Sequence, residues 1–382
     1  MRDRIKKVDR TLRWDWLPGI IGFVTEQATS LQQIPAPTFA EADRAVYVRL
    51  QFESFNLSDI RIDELFNVFG RLRGSGDAPA LMITAHTDTV FPADTDLSTR
   101  HEGQLIYGPG LGDNCFGVAG LLGVVATLRR QNITPARDIW FVATSREEGL
   151  GNLGGMKAAY ETLADRVDNV INLEGLAFGH VYHGGIAVRR LHITAATAGG
   201  HSWLHFGRPS AVHSIIQLGQ RIISLQPTRT PRTTYNIGLI EGGQGINVIA
   251  TSAGLWLDMR SEQPAALAQF EEQVRAQVHD LKSSEVDFQV ELVGERPAGQ
   301  ISPQHEMVTG ALAALAQVGV QGTLETGSTD GNIPLAAGCP AVTIGITRGG
   351  NAHRLDEYVE LEPVTAGVKQ LLLLTLALTD NL

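Results

Sequence analysis

The chain has 382 residues, 43% of them hydrophobic and 19% charged, with 41 acidic side chains against 31 basic ones and a formal net charge of −10. At roughly 150 residues per domain this is room for two or three domains, and the apolar content suffices for a sizeable core, which excludes a disordered chain. The acidic balance, with no basic run beyond residues 4–10, argues against nucleic-acid partners.

Residues 10–56 read as helical, with a break at the proline-bearing residues 33–37. Trp14, Asp15, Trp16 and Pro18 interrupt the N-terminal region, so no signal peptide is expected. No apolar run near 18 residues stands out, so no transmembrane helix and no membrane partner are expected. Residues 80–85 form a short apolar run with the look of a buried strand. Residues 117–130 carry Val118, Leu121, Leu122, Val125 and Leu128 at helical spacing. Further buried strands are expected at 139–144 and 170–173, so strands alternate with helices, as in a mostly parallel sheet covered on both faces. After Gly185 the pattern changes. Strand 187–197, helix 211–225, strands 233–240 and 253–259, helix 265–281 and strand 286–293 give the order β-α-β-β-α-β of a ferredoxin-like unit. The expected organisation is therefore an α/β domain of residues 1–185 and 296–382, interrupted by an inserted domain of residues 186–295. A final helix is expected at about 363–380. Only two cysteines are present, Cys115 and Cys339, which is no disulfide framework and no CxxC metal site; a reducing, cytoplasmic setting fits.

Several histidines and carboxylates fall where such a sheet would place a site. His86 and Asp88 follow the first buried strand, two residues apart and so on one side of an extended segment. His86 can ligate a metal through one ring nitrogen while Asp88 holds the other, although an isolated HxD equally fits a structural histidine. Gly108–Asn114 is a glycine-rich turn that matches neither a dinucleotide fingerprint nor a phosphate loop. It reads either as a loop in which Asp113 caps the next helix, or as backbone folded closely around a metal bound by Asp113. Glu147 and Glu148 end the strand 139–144 among glycines; a solvated pair is one reading, a pair needing a cation or proton the other. Glu174 and His353 each lie just past an apolar strand. All fall at or after predicted strand C-termini, where open α/β sheets place their sites. Two histidines and three carboxylates can bind two divalent ions, leaving a glutamate for proton transfer.

Taken in order, AHTDTV, GPGLGDNCFGVAG, TSREEGLGNLGG, INLEG, AGGHSW, GGQGINVIA, LDMRS, GSTDGN and GGNAHRLDEYVEL span nearly the whole chain. The series resembles the zinc-dependent exopeptidase and deacylase family that includes glutamate carboxypeptidase, peptidase T, acetylornithine deacetylase, succinyl-diaminopimelate desuccinylase and aminoacylase. The resemblance implies two Zn2+ ions, with Co2+ or Mn2+ as alternatives. His86, Asp113 and Glu174 would hold one, and Asp113, Glu148 and His353 the other. It implies Glu147 as general base on a metal-bridging water, Asp88 orienting His86, and a cis peptide at Asp113–Asn114. His201 would reach a partner subunit's site and support the oxyanion, so a homodimer through residues 186–295 is expected; by itself His201 reads as an ordinary strand-end histidine. Arg260 and Asn247 resemble residues that bind a substrate carboxylate, a task suited to arginine's planar fork, although Arg260 alone fits a surface strand end. Gly349 and Gly350 would offer backbone contacts near the scissile group. Ser328, Thr329 and Asp330 match a family motif without an assigned role.

Within that family, glutamate at the position of Glu174 goes with carboxypeptidases and deacylases, and aspartate with aminopeptidases and dipeptidases. Glu174 with Arg260 therefore points to a small peptide or N-acyl amino acid cut next to a free carboxylate. A peptidase T-like aminopeptidase is the alternative, and a metal-binding scaffold without catalysis the alternative of another class.

Overall fold

The computed structural model describes residues 1–379 and divides into two compact units, Met1–Gly185 with Gly299–Leu382, and Ile186–Ala298. The second boundary falls at Ala298 rather than 295 because the strand Val286–Arg296 runs on as part of the inserted unit.

The first unit is built on a nine-stranded sheet. Its order is Ser58–Ile62, Val68–Leu72, Ile139–Thr144, Ala80–His86, Val167–Leu173, Ala341–Ile344, His180–Gly185 and Gly299–Gln300, with Thr323–Gly327 also pairing His180–Gly185. The centre is parallel: Ala80–His86 lies between Ile139–Thr144 and Val167–Leu173, and Ala341–Ile344 joins Val167–Leu173. These strands are apolar throughout because both faces are covered, and Ala80–His86 and Ile139–Thr144 are buried at every residue. Pairs toward the edges are antiparallel, as at Val68–Leu72 with Ile139–Thr144 and at His180–Gly185 with Ala341–Ile344. Parallel order brings the carboxyl ends of the central strands to one edge, and each predicted site residue of this unit follows one of them or a loop beside them.

The helical N-terminal region is three helices, Arg2–Thr11, Ile20–Gln32 and Ala42–Ser54. The first break lies at Leu12–Gly19, where Pro18 sits in a short turn, and the second spans Gln33–Glu41, around Pro35 and Pro37. The strands Ser58–Ile62 and Val68–Leu72 escape a periodicity search because Asp59, Arg61 and Arg71 interrupt their apolar pattern. The last helix is Val364–Leu378, and residue 380 of the expected helix lies outside the described residues.

One expectation needs correcting. Leu111–Arg130 is, by length and composition, apolar enough to cross a bilayer, and 94% of that window is buried inside the fold. Asp113 and Asn114 disguise it as two shorter pieces. Its helical part, Phe116–Arg130, is buried from Phe116 through Leu128 and is apolar all round because the unit closes over it, as expected for a core helix.

The inserted unit has four antiparallel strands in the order Thr233–Gly242, Ser252–Ser261, Ala187–Thr197, Val286–Arg296. In chain order this is the 4-1-3-2 arrangement read from the far edge, with helices Ala211–Ser224 and Pro264–Leu281 as the two crossovers. Leu191, Ile193, Leu255, Leu257, Ile215 and Phe270 form its separate core.

Because Leu122 lies wholly inside the first unit, Leu122→Ala is expected to cost about 2–5 kcal/mol of stability. Denaturant unfolding with an unchanged slope would report this; a shift below ~0.5 kcal/mol would contradict a close-packed position.

Candidate active site

His86 is the last residue of Ala80–His86, and its ring is enclosed, with a side-chain exposure of 2%. Its Nδ1 faces the Asp88 carbonyl oxygen at 3.2 Å and the Asp88 carboxylate at 3.5 Å. The carboxylate itself is engaged elsewhere. Its oxygens accept the backbone N–H groups of Glu147 and Glu148, each at 2.9 Å, and the Thr38 hydroxyl at 2.9 Å. Asp88 thus holds the Glu147–Glu148 backbone at least as directly as it holds the His86 ring. Burial works against its charge, but His86 and the two N–H groups keep its pKa below the usual carboxylate range.

On the other side of His86, Nε2 lies 3.1 Å from Asp113 Oδ1 and 3.4 Å from Glu174 Oε2. The second oxygen of Asp113, Oδ2, lies 3.0 Å from His353 Nε2, which is also 3.1 Å from Glu148 Oε1. Asp113 therefore stands between two histidines, one oxygen toward each. It is not a helix cap: the helix Phe116–Arg130 has Cys115 at its N-cap position and no side-chain cap bond. The peptide between Asp113 and Asn114 is cis, as the resemblance implied. His353 sits in a loop with φ of +66°, Asn351 with +59°, a region non-glycine residues enter sparingly and often at functional sites.

The donors form three groups whose ligand atoms lie within 4.8 Å of one another: His86, Asp113 and Glu174; Asp113, Glu148 and His353; and His86, Glu147 and Glu148. The third puts the Glu147 carboxylate in the same small volume. Electrostatics shows a surplus of negative charge there. Burial raises the pKa of Glu174, and the nearby Asp113 and Glu148 charges raise it further against the pull of His86. Burial opposes the charge on His86, yet the facing Glu174, Asp113 and Asp88 lift its pKa well above 6.5. His353 is raised to about 10 by its bonds to Asp113 and Glu148. Asp113, despite burial, is held well below the usual range by the two imidazoles. Crowded carboxylates with only imidazoles to balance them, all offering N and O atoms, fit a pair of divalent cations.

Sequence reasoning missed two supports. Glu357 is fully buried and accepts the N–H groups of Gly112 at 2.6 Å, Asp113 at 3.1 Å and Gly110 at 3.3 Å, while its own carbonyl accepts Gly108 N–H at 2.8 Å. It staples the loop that presents Asp113 to the loop that presents His353. Burial, with the Asp113 charge adding, pushes its pKa to about 7 despite those bonds. Asn114 donates to the Leu173 carbonyl and accepts from Gly175 N–H, both at 2.8 Å, and so grips the backbone on either side of Glu174. Both residues lie inside motifs of the family series, GPGLGDNCFGVAG and GGNAHRLDEYVEL, but neither has a local pattern to mark its role. The unassigned Asp330 is also fully buried, accepting the hydroxyl of Thr144, the last residue of the strand Ile139–Thr144, at 2.6 Å. Burial raises it to about 7.

Gly349 and Gly350 pair with Val359 and Tyr358. A Cβ on Gly349 would lie 2.0 Å from the Tyr358 carbonyl, so close strand approach already demands glycine there. The remaining candidates belong to the inserted unit. His201 and Asn247 come together: His201 pairs with Val248, and Ser202 N–H donates to the Asn247 carbonyl at 3.0 Å. His201 is exposed, its Nδ1 accepting Trp203 N–H at 3.2 Å. Arg260 stands apart on the strand Ser252–Ser261, its Nε donating to Asp258 Oδ1 at 2.7 Å, and Asp258 also accepts Arg190 Nε at 2.9 Å.

A parallel sheet with this donor set at its carboxyl edge defines a metal-dependent amidohydrolase. The sequence pattern of peptidase family M20/M25/M40 matches residues 82–377, well over half the chain, and the protein belongs to that family. The chain is 25% identical to a succinyl-diaminopimelate desuccinylase of Corynebacterium glutamicum, covering 88% of this chain and 91% of the relative. It is 24% identical to carboxypeptidase G2 of Pseudomonas sp. strain RS-16, covering 78% and 73%. A tripeptidase from Staphylococcus aureus has a similar fold, with a TM-score of 0.77 at 22% identity over 94% of this chain and 99% of that one.

The facing carboxylates raise the pKa of both imidazoles, His353 to about 10, and each imidazole must be neutral to ligate. Metal uptake is therefore expected to release protons, at least the one held by His353, read by calorimetry in buffers of different ionisation heat. The His353 pairing stabilises the metal-free fold below the ordinary imidazole pKa and is lost as pH rises toward about 10, so its melting temperature should fall across that window. Glu357→Gln leaves a second donor facing Gly110 or Gly112 and is expected to weaken metal affinity by about 10–100-fold; unchanged affinity would remove its role.

Proposed function

We propose that the protein is a dinuclear metallohydrolase that cleaves an amide bond next to a free carboxylate, in an N-acyl amino acid or at a peptide C-terminus. The observation that carries this is the division of the Asp113 carboxylate, one oxygen toward His86 and the other toward His353. It supports His86, Asp113 and Glu174 as one ligand set and Asp113, Glu148 and His353 as the other. Zinc suits these donors, and cobalt or manganese are admitted by the same carboxylate-rich chemistry. When bound, the ions supply Lewis-acid polarisation of the scissile carbonyl and a lowered pKa for the attacking water.

Glu147 is the proton carrier. Its backbone is fixed by Asp88, and its carboxylate shares a small volume with His86 and Glu148. It accepts a proton from the water that attacks the amide carbon and hands it to the departing nitrogen. His201 is assigned a hydrogen bond to the developing oxyanion. Arg260 and Asn247 are assigned to the substrate carboxylate; Asp258 keeps the Arg260 fork ordered before substrate arrives. Gly349 and Gly350 are assigned backbone contacts to substrate. The names of the desuccinylase and carboxypeptidase relatives, with Glu174 and Arg260, support the carboxylate reading over an aminopeptidase.

The inserted unit supports a homodimer. Trp203 and Phe206 are 84% and 92% exposed, and Leu239 and Ile240 are exposed on the edge strand Thr233–Gly242, whose unpaired side a second copy would cover. Sedimentation at the monomer mass across micromolar concentrations would remove it. The buried free thiols of Cys115 and Cys339 support a reducing, cytoplasmic setting.

Glu147→Gln is expected to retain about two metal ions per chain and lose about 10²–10⁴-fold in turnover. Full hydrolysis by that variant would refute its role as base. A panel of N-acetyl amino acids, dipeptides and tripeptides decides the substrate class. Cleavage confined to the N-terminal residue of free-amine tripeptides would replace the carboxylate reading with the aminopeptidase one. Two bound ions with no hydrolysis of any probe would favour a scaffold.

A further inference from the structure

Phe39 presents a combination that core packing does not explain. It is 53% exposed, yet its backbone lies at φ of +79°, where a bulky side chain is strained and glycine is not. Arg146, the residue before Glu147, also lies at positive φ, +55°, and its guanidinium stands 5.3 Å from the Phe39 ring centre. One carboxylate joins the two. Buried Glu41 accepts Phe39 N–H at 3.0 Å and Arg146 N–H at 3.1 Å through the same oxygen, Oε1. The preceding residue, Thr38, donates to the Asp88 carboxylate, which also accepts the Glu147 and Glu148 N–H groups. Upstream, the Ala36 carbonyl accepts Thr89 N–H at 2.9 Å, and Pro37 bridges to Thr89. The segment carrying Phe39 is thus fastened at three points to the backbone that carries the reacting groups.

A second exposed apolar side chain lies on the other flank of the Glu147–Glu148 pair. Leu150, 49% exposed, lies in the turn Gly149–Gly151 just after Glu148. That turn packs on Thr38: a Cβ on Gly151 would sit 2.6 Å from Thr38 Cγ2. The Arg146 contact and the Glu41 bond are modest returns for a half-exposed ring on a left-handed backbone, and strain kept beside reacting groups is characteristic of a site that uses it. We propose that Phe39, with Leu150, forms an apolar rim beside Glu147 that selects substrates bearing an apolar or aromatic group next to the scissile amide. This rests on the amidohydrolase reading with Glu147 as base.

The test compares wild type, Phe39→Gly and Phe39→Leu on N-acetyl-phenylalanine, N-acetyl-leucine and N-acetyl-glycine, with metal content and melting temperature measured alongside. Phe39→Gly relieves the backbone and should melt at the same temperature or higher while keeping its metal. The ratio of kcat/KM for the phenylalanine and leucine probes over the glycine probe should fall about tenfold or more, the scale at which apolar pockets discriminate. Phe39→Leu should restore most of that ratio. An unchanged ratio in Phe39→Gly, or an equal loss on all three probes, overturns the rim and leaves the amidohydrolase reading intact. Failure of wild type to cleave any of the three probes overturns N-acetyl amino acids as its substrates, and the rim as a selector among them.

Discussion

Buried negative charge is the constraint on which the first unit turns. Asp88, Glu147, Glu148, Asp330, Glu357 and Glu41 are all buried, with Asp113 and Glu174 close by. Each ionised carboxylate removed from water costs several kcal/mol unless something replaces its hydration. The fold answers in two ways. Asp88 and Glu357 are solvated by backbone N–H groups, which fixes the loops that donate them. Asp113, Glu148 and Glu174 face imidazoles instead, and burial with the Asp113 and Glu148 charges still raises the pKa of Glu174 against the pull of His86. The first kind of carboxylate shapes the site; the second kind makes it a place for cations.

That division explains why the supports are spread along the chain. Glu357 reaches Gly112 across 245 residues, and Thr144 reaches Asp330 across 186. The parallel sheet makes such distances short in space, because strands far apart in sequence deliver their carboxyl ends to one edge. Glycines serve the same closeness: Gly175 would place a Cβ 2.2 Å from the Gly112 carbonyl, where the Asp113 loop passes the Glu174 loop.

Much of this was legible in the sequence. The apolar runs of Ala80–His86 and Ile139–Thr144 and the helical spacing of Phe116–Arg130 are strong local signals, and His86, Asp113, Glu147, Glu148, Glu174 and His353 stand out by their position after such runs. The inserted unit was equally clear, since its strands alternate and its helices are amphipathic. The supports were hidden for a physical reason: they act through long-range bonds to backbone N–H groups, which leave no side-chain pattern. Glu357 looks like any loop glutamate until Gly110, Gly112 and Asp113 are folded onto it. Phe39 was hidden differently, because positive φ at a non-glycine residue has no sequence signature. The length of the Leu111–Arg130 segment was masked by Asp113 and Asn114, which interrupt its apolar run.

The unequal surroundings of the two histidines bear on how ions would come and go. His86 is 2% exposed at the end of a central strand, whereas the His353 side chain is 52% exposed on a surface loop. Asp113 is joined to a helix buried through Leu128, an element of the kind that opens only when the whole unit unfolds. Two ions seated as proposed would therefore exchange at different rates. The one beside His86 would be kinetically trapped, and the one beside His353 would trade with the medium through local loop opening. Partly loaded protein would then be a defined species with one particular site filled, not a random mixture.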